Sequence, residues 1–241
     1  MGGGGGNVVP LFRFNNNEKS ASLNLNSNND YKEGISSWVL EKAQQKVNSK
    51  IIKEDLFNYV YGFLHSQVYR KKYTNTLTKQ PPSIPIVREK LFWQYVTIGK
   101  ELIDLHLNYE SQPKLSEVEI SGEEYGFFQV AKMSYKKGSS TIKFNDHITI
   151  KNIPSKAYEY ELNGNSAIWW IYNQYEATIG NGKKYRNRKS SAHRKEDVSN
   201  DPNIFAKEIG NPRYILDLLL SVITLSVKTL ELVEQLPKDL E

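Results

Sequence analysis

The sequence predicts an α+β fold in which helical bundle segments flank a small antiparallel β-sheet. Two observations carry this prediction. Apolar residues recur at helical spacing before residue 113 and again after residue 163. Between these regions the period changes to two, first where Val118 and Ile120 alternate with glutamates and then in the stretch TIKFNDHITIKNI. Alternation of this kind, interrupted by polar turns, is typical of short antiparallel strands.

The composition limits the class of protein. The chain has 241 residues, a formal net charge of +5 and no cysteine, which excludes disulfide-built secreted folds, cysteine-based zinc sites and thiol nucleophiles. The start of the chain lacks the pattern of a signal peptide, and the apolar run from Leu218 to Val227 is too short to cross a bilayer. We therefore expect a cytoplasmic protein that meets any anionic partner through a local basic patch.

Composition and periodicity together divide the chain into four segments. The boundary between the second and the third follows Pro113, where the helical pattern gives way to the alternating one. We expect residues 51–241 to form one domain. The segments are a connector with a low-complexity stretch and a short helix (1–50), an N-terminal helical part (51–113), the small sheet (114–162), and C-terminal helices with a basic loop at 180–200 (163–241).

The helix that begins near residue 51 carries an unusual aromatic and basic face. Its stretch YVYGFLHSQVYRKKY, from Tyr59 to Tyr73, is rich in tyrosine and contains three consecutive cations just before its last residue. A face that includes small residues allows the backbone of a second helix to approach closely, and its polar rings equally suit a ligand. The residues opposite the apolar side of the helix, beside the small Gly62 and Ser66, are Asn58, Tyr61, His65, Tyr69 and Lys72. A further helix is predicted from about Glu89 to Leu107.

The apolar pattern of the sheet segment predicts how its two strands pair. If the loop NDH has three residues, Phe144 pairs with Ile148 and Ile142 with Ile150 on one face of the hairpin. A two-residue loop would place apolar residues opposite polar ones, because a one-residue slip moves every side chain to the other face. We therefore predict the three-residue loop.

The C-terminal region is predicted to be helical. One helix begins at Asn163 and carries the adjacent Trp169 and Trp170, and a last one has Asn211 as its N-cap and Pro212 at its first position. The middle of this last helix is apolar on all sides. It must therefore be buried in a bundle or against a neighbouring domain.

Catalytic motifs are absent from the sequence. It has no GxxxxGK[ST] phosphate loop, no GxGxxG, no HExxH and no GxSxG, and its four histidines have no second ligand at metal spacing. The tetrapeptide from Asn211 to Tyr214, NPRY, resembles the (N/D)PP(Y/F) motif with which amino-methyltransferases hold a flipped base. Its third residue is arginine and it opens a long helix, so we interpret it as a helix start. We expect no catalytic residue, cofactor or metal in this chain; a residual enzyme using NPRY would have to bind a methyl donor.

Two basic stretches are candidates for binding an anionic partner. In the turn KKGSS, Lys136 and Lys137 could lie at a phosphate backbone or serve solubility alone. In the basic loop, lysine and arginine could contact phosphates and arginine could pair with guanine, although a solvated charge run has the same composition. The cations of this loop are Lys183, Lys184, Arg186, Arg188, Lys189, Arg194 and Lys195.

Several long motifs, in the same order along the chain, resemble one family. EDLFNYVYGFLHSQVYRKKY, GKELIDLHLNYE, AYEYELNGNSAIWWI and NPRYILDLLLSVITLSV lie between about Asp55 and Pro237. They resemble the C-terminal specificity region of single-polypeptide (type ISP) restriction-modification enzymes and of related large predicted helicases. The resemblance implies a non-catalytic target-recognition domain that reads a short duplex DNA sequence. Its partners would be duplex DNA and the upstream adenine methyltransferase and helicase domains of the parent chain. That parent would be an enzyme with nuclease, ATP-dependent motor and adenine methyltransferase activities.

The resemblance also bears on the tyrosine-rich helix. A motif shared by domains that read different DNA sequences should not itself read bases, so the helix either supports the scaffold or contacts the phosphate backbone. Tyr69, Arg70 and Lys72 are the candidates for phosphate contact. The alternative function is an interaction module whose apolar C-terminal helix docks on the upstream methyltransferase or helicase domains, with only weak DNA binding of its own.

Overall fold

The computed structural model describes residues 10–14, 31–77, 79–130, 133–175 and 202–240. These residues form two compact units, one made of the described residues up to 103 together with 235–240, and the other of residues 104–234. The sheet and the C-terminal helices, which the sequence places in separate segments, therefore lie in one unit. The change of pattern at Pro113 falls inside this second unit and is not its boundary.

The first unit is helical apart from one short antiparallel pair of strands. The long helix predicted from about Glu89 to Leu107 is present with those bounds, and its last four residues belong to the second unit. The elements in chain order are β1 (Phe12–Phe14), β2 (Tyr31–Glu33), α1 (Ser37–Lys46), α2 (Lys53–His65), α3 (Gln67–Lys72), α4 (Thr74–Leu77) and α5 (Glu89–Leu107).

The tyrosine-rich stretch is two helices and not the single helix that the sequence predicts. Ser66 has an extended backbone, with ψ at 121°, and its hydroxyl caps α3 by accepting from the amide of Tyr69 at 3.3 Å. A serine hydroxyl at such a position satisfies an amide that would otherwise lack a partner, which favours a new helix start. The break changes the direction of the chain, so residues after Ser66 no longer continue the face of α2.

Helices α2 and α5 pack with their backbones in direct contact. A Cβ atom added to Gly99 would lie 1.9 Å from the carbonyl oxygen of Asn58, and one added to Gly62 would lie 2.4 Å from that of Tyr95. Only residues without a side chain allow this approach. The role suggested for Gly62, close packing against a second helix, is therefore confirmed.

The second unit contains a three-stranded antiparallel sheet in the order β3 (Glu119–Ser121), β5 (Thr149–Lys151), β4 (Ile142–Lys143). Ile142 pairs with Ile150, and the amide of Phe144 donates to the carbonyl of Ile148 at 2.9 Å. The predicted register and its three-residue loop are confirmed.

A hairpin that the sequence reading missed precedes the tryptophan helix. Strands β6 (Glu161–Leu162) and β7 (Asn165–Ser166) pair across Asn163 and Gly164, which both have positive φ, 53° and 81°. An Asn-Gly pair in this conformation is the preferred two-residue hairpin turn. Helix α6 (Ala167–Tyr175) therefore begins four residues later than predicted, and the hydroxyl of Ser166 accepts from the amide of Trp169 at 3.1 Å.

Helix α8 (Tyr214–Glu234), which follows the short α7 (Pro202–Glu208), forms the centre of the second unit. Leu219 and Ile223 are at most 1% exposed and belong to one core cluster with Ile142 and Ile150 of the sheet. The predicted burial of this apolar helix is confirmed. No helix in the described part of the chain combines the length and apolarity that a membrane span requires.

Candidate nucleic-acid interface

The basic loop lies outside the described residues, which stop at 175 and resume at 202. The role of its seven cations, from Lys183 to Lys195, stays a prediction. The structure does place the other candidates, namely the turn at Lys136 and Lys137 and the three residues of α3.

Tyr69 belongs to the core of the first unit. It is 1% exposed, its ring lies 4.8 Å from that of Phe63, and its hydroxyl donates to the carbonyl of Ser83 at 2.9 Å. Because α3 starts afresh at Ser66, Tyr69 turns inward and away from the face on which a continuous helix would have placed it. Its predicted phosphate contact is therefore corrected to a structural role.

The cations that follow Tyr69 remain exposed. The Nε atom of Arg70 donates to the carbonyl of Leu64 at 2.7 Å, which anchors the guanidinium beside the end of α2. The ammonium of Lys72 lies 5.7 Å from the ring centre of Tyr73. Both side chains are exposed, and their phosphate contacts stay a prediction.

His65 is held neutral. Its Nδ1 lies 2.8 Å from the carbonyl oxygen of Tyr61, which can only accept, so Nδ1 carries a proton. Burial and the nearby charge of Arg70 lower the pKa of His65 below its usual 6.5, against the smaller opposing effect of that carbonyl. A neutral, part-buried imidazole bonded to its own helix supports the scaffold and offers no cation to DNA.

The KKGSS turn projects two lysines into solvent. The amide of Ser139 donates to the carbonyl of Lys136 at 3.0 Å, and Gly138 supplies the left-handed conformation, with φ at 77°. The hydroxyl of Tyr158 donates to the carbonyl of Ser139 at 2.8 Å and fixes the turn from below. Lys137 pairs with the exposed Glu161, whose hydrogen bond and charge raise the pKa of this lysine.

The solvent-facing side of the three-stranded sheet carries further exposed lysines next to this basic turn. Ile142 and Ile150 face the core, so Lys143 and Lys151, one residue further along each strand, face solvent. The segment before the turn runs beside β4, where the amide of Ser134 donates to the carbonyl of Lys143 at 2.9 Å. We call this surface the lysine face; its residues are Lys136, Lys143 and Lys151, with the hydroxyls of Ser134, Thr141 and Thr149.

The lysine face has the donors that phosphate contacts use. Lysine ammoniums and serine or threonine hydroxyls are among the groups that contact the DNA backbone, and they do so without reading bases. Glu119 lies opposite Lys151 in the register, and Asp146 binds Lys143 at 2.9 Å, so part of the charge is offset locally. The sequence reading missed Lys143 and Lys151 because their grouping depends on strand pairing, although the confirmed hairpin register contained the signal.

Residues of the NPRY tetrapeptide make contacts within the second unit. Arg213 forms ion pairs with Glu123 and with Asp217, the latter at 3.1 Å, and its guanidinium lies 4.9 Å from the ring centre of Phe128. The side chain of Asn211 accepts from the amide of Arg213 at 3.1 Å, and α8 begins at Tyr214, later than predicted. Among the described residues, no group of three or more histidine or carboxylate side chains could hold a metal ion.

The profile of the type ISP C-terminal specificity domain matches residues 1–218. The chain belongs to this family. A comparison with curated proteins found no match.

Solved structures of larger enzymes contain a similar domain. The ATP-dependent type ISP restriction-modification enzyme LlaBIII, bound to DNA, is 41% identical with a TM-score of 0.73, over 96% of this chain and 14% of that one. A nuclease-deletion mutant of the type ISP enzyme LlaGI, in complex with a DNA substrate mimic, is 41% identical with a TM-score of 0.66, over 89% and 18%. The DrdV–DNA complex, 24% identical with a TM-score of 0.67 over 88% and 21%, shares the fold. The specificity domain thus spans only a small part of the length of each.

Proposed function

We propose that this specificity domain recognises a target sequence in duplex DNA on behalf of a larger type ISP restriction-modification enzyme. The observation that carries the proposal is the family match over residues 1–218, together with 41% identity to LlaBIII, whose structure is bound to DNA. Because the chain corresponds to 14% of the LlaBIII chain, the nuclease, motor and methyltransferase would lie in other parts of the parent enzyme. The chain itself would supply DNA recognition and no catalytic residue.

The lysine face would set the position of the duplex. Lys136, Lys143 and Lys151 would contact phosphates, assisted by the neighbouring hydroxyls, and would fix the register without reading the sequence. The cations from Lys183 to Lys195 would add base-edge contacts, because arginine can donate two hydrogen bonds to guanine. Arg70 and Lys72 would extend the backbone contacts.

The docking alternative finds no support in the packing of α8. That hypothesis needs the apolar surface of the C-terminal helix to be free for upstream domains. Leu219 and Ile223 instead lie in the core of the second unit together with the sheet. Moreover, the hydroxyl of Ser221 donates to the carbonyls of Glu110 and Gln112, at 3.1 and 2.9 Å, which fixes the helix within its own unit.

The proposal is tested by selecting bound sequences from a randomised duplex library at two salt concentrations. We expect one short asymmetric motif to be enriched and the logarithm of the affinity to fall with the logarithm of salt with a slope of about −4.5, as for five phosphate contacts from the lysine face, Arg70 and Lys72. Replacing Lys136 or Lys151 by alanine should make the slope shallower by about 0.9 each, uniformly over sequences. Lys100→Ala is the matched control, since Lys100 is exposed on α5 outside the proposed face.

The outcomes separate the competing functions. An unchanged slope in Lys136→Ala and Lys151→Ala would remove the lysine face from the interface. Binding without an enriched motif would contradict sequence recognition by this chain, and no binding even at low salt would overturn the proposal as a whole.

A further inference from the structure

Three aromatic side chains form an exposed cluster at one end of the sheet of the second unit. Tyr125 and Phe127 are 62% and 55% exposed, which is unusual for rings of this size. The ring of Phe127 stacks on that of the exposed His147, with 4.4 Å between centroids and 26° between planes, and Tyr125 lies 6.2 Å from the same imidazole. We call Tyr125, Phe127 and His147 the aromatic tip.

The aromatic tip is held by one buried asparagine. Asn145 is 4% exposed, and its Nδ2 atom donates to the carbonyls of Phe127 and Gln129 at 2.7 and 3.0 Å. Its Oδ1 atom accepts from the amides of His147 and Ile148 at 2.9 and 2.7 Å. One side chain therefore joins both backbone segments that carry the stacked rings, with all of its strong hydrogen-bonding positions in use.

Two further contacts fix the segment that precedes Phe127. Gly122 has φ at 89°, and a Cβ atom there would lie 2.0 Å from the carbonyl oxygen of His147, so the two backbones touch. Glu123 is bound by Arg213 at the start of α8. The rings of the tip are thus presented to solvent by a rigid support, so a ligand that covers them loses little conformational freedom of the protein.

The position and charge of the aromatic tip favour one kind of partner. The tip follows directly from the lysine face, since Lys143 of β4 binds Asp146 of the loop that carries His147. The exposed carboxylate of Glu124 beside the rings would repel phosphates, so a duplex held by the lysine face would place its bases and not its backbone against the tip.

We propose that the aromatic tip contacts DNA bases through their apolar surfaces and contributes to target selection. This inference rests on the proposed function and assigns to the tip the base contacts that the lysine face cannot make. The apolar surface is either the methyl group of a thymine or the face of a base at a distorted step, both of which aromatic side chains contact in DNA complexes.

The test uses the 241-residue chain, the duplex selected from the library and an unrelated duplex of equal length. We expect Phe127→Ala to weaken binding to the selected duplex by about tenfold or more, as for the loss of one aromatic contact to a base. Affinity for the unrelated duplex and the salt slope should not change. Leu107→Ala, which removes another exposed apolar side chain of the same unit, is the control and should leave both affinities unchanged. Far-UV circular dichroism checks that each variant is folded.

Two modified duplexes distinguish the sources of apolar surface. If a thymine methyl is contacted, replacing the thymidine at one position by deoxyuridine, which lacks that methyl, should weaken binding by the unaltered chain. The same replacement should not change the affinity of the Phe127→Ala variant. If a base face is contacted, 2-aminopurine at one position should change fluorescence with the unaltered chain and not with the variant. His147→Ala should reduce the same response, because it removes the ring on which Phe127 stacks.

The failures are distinguishable. Equal affinity of Phe127→Ala and the unaltered chain for the selected duplex, or equal losses on both duplexes, would overturn the inference while leaving the proposed function intact. A lack of binding by the unaltered chain would overturn the proposed function and the inference together.

Discussion

Two regions of the molecule use aromatic side chains in opposite ways: the contact between α2 and α5 in the first unit, and the aromatic tip of the second unit. In the first unit Tyr59, Tyr69 and Tyr95 are at most 1% exposed, and the hydroxyls of Tyr59 and Tyr69 donate to backbone carbonyls. In the second unit Tyr125 and Phe127 are more than half exposed although the backbone beneath them is firmly held. Residue type does not distinguish these uses. What distinguishes them is whether the backbone turns the ring inward, as the break at Ser66 does, or outward, as the support at Asn145 does.

The largest effect is expected where the two helices of the first unit touch. Gly99→Ala should lower the free energy of unfolding by about 3 kcal/mol, because a Cβ atom 1.9 Å from the carbonyl oxygen of Asn58 forces α2 and α5 apart. Chemical denaturation measures the change. Thr97→Ala, at an exposed position of the same helix, should stay within about 0.5 kcal/mol of the unaltered chain. Equal stability of the two variants would refute the backbone contact.

The corresponding residue of the second unit is Asn145. Asn145→Ala should lower the free energy of unfolding by about 2 kcal/mol, because two carbonyls and two amides lose their partner at a buried position. Denaturation followed by circular dichroism measures the loss, with the exposed Gln174→Ala as the control. If Asn145→Ala were as stable as the control, the aromatic tip would not be rigidly supported.

Tyr69 and Lys136 sharpen the contrast between scaffold and interface. Tyr69→Phe should lower the free energy of unfolding by about 1 kcal/mol, through loss of the bond to Ser83, and leave DNA affinity unchanged. Lys136→Ala should do the reverse, since its exposed ammonium contributes to phosphate binding and not to packing. Parallel denaturation and DNA titration of both variants measure the two effects. Weaker DNA binding by a folded Tyr69→Phe variant would restore Tyr69 to the interface.

The smallest effect is a pH dependence of the first unit. Since burial lowers the pKa of His65 in the folded state, the unfolded state takes up a proton first as the pH falls below about 6.5. Stability is therefore full above that pH, decreases as the pH falls toward the folded-state pKa, and then levels off. Thermal unfolding between pH 5 and 8 should show this decrease, and His65→Gln should flatten it. An equally steep decrease in His65→Gln would assign the effect to other groups.

Features that depend on a local pattern were predictable from the amino-acid sequence. The bounds of α5, the burial of α8 and the pairing of Ile142 with Ile150 all follow from periodicity, because a repeat of 3.6 or 2 residues directly states which side of an element is apolar. The long motifs were sufficient to indicate the specificity-domain family. The hairpin at Asn163 also had a local signal, the Asn-Gly pair. That signal was missed because the residues from Asn163 onward were interpreted as a helix.

The contacts between distant polar and aromatic residues were not predictable and became visible in the folded chain. Tyr69 reaches the core because one serine ends α2 and caps α3, a choice that periodicity does not contain. Arg213 is engaged by Glu123, 90 residues earlier, and the lysine face and the aromatic tip each combine segments that strand pairing and Asn145 bring together. Such contacts depend on how distant segments are positioned by the packed core, and a local pattern carries no information about that position.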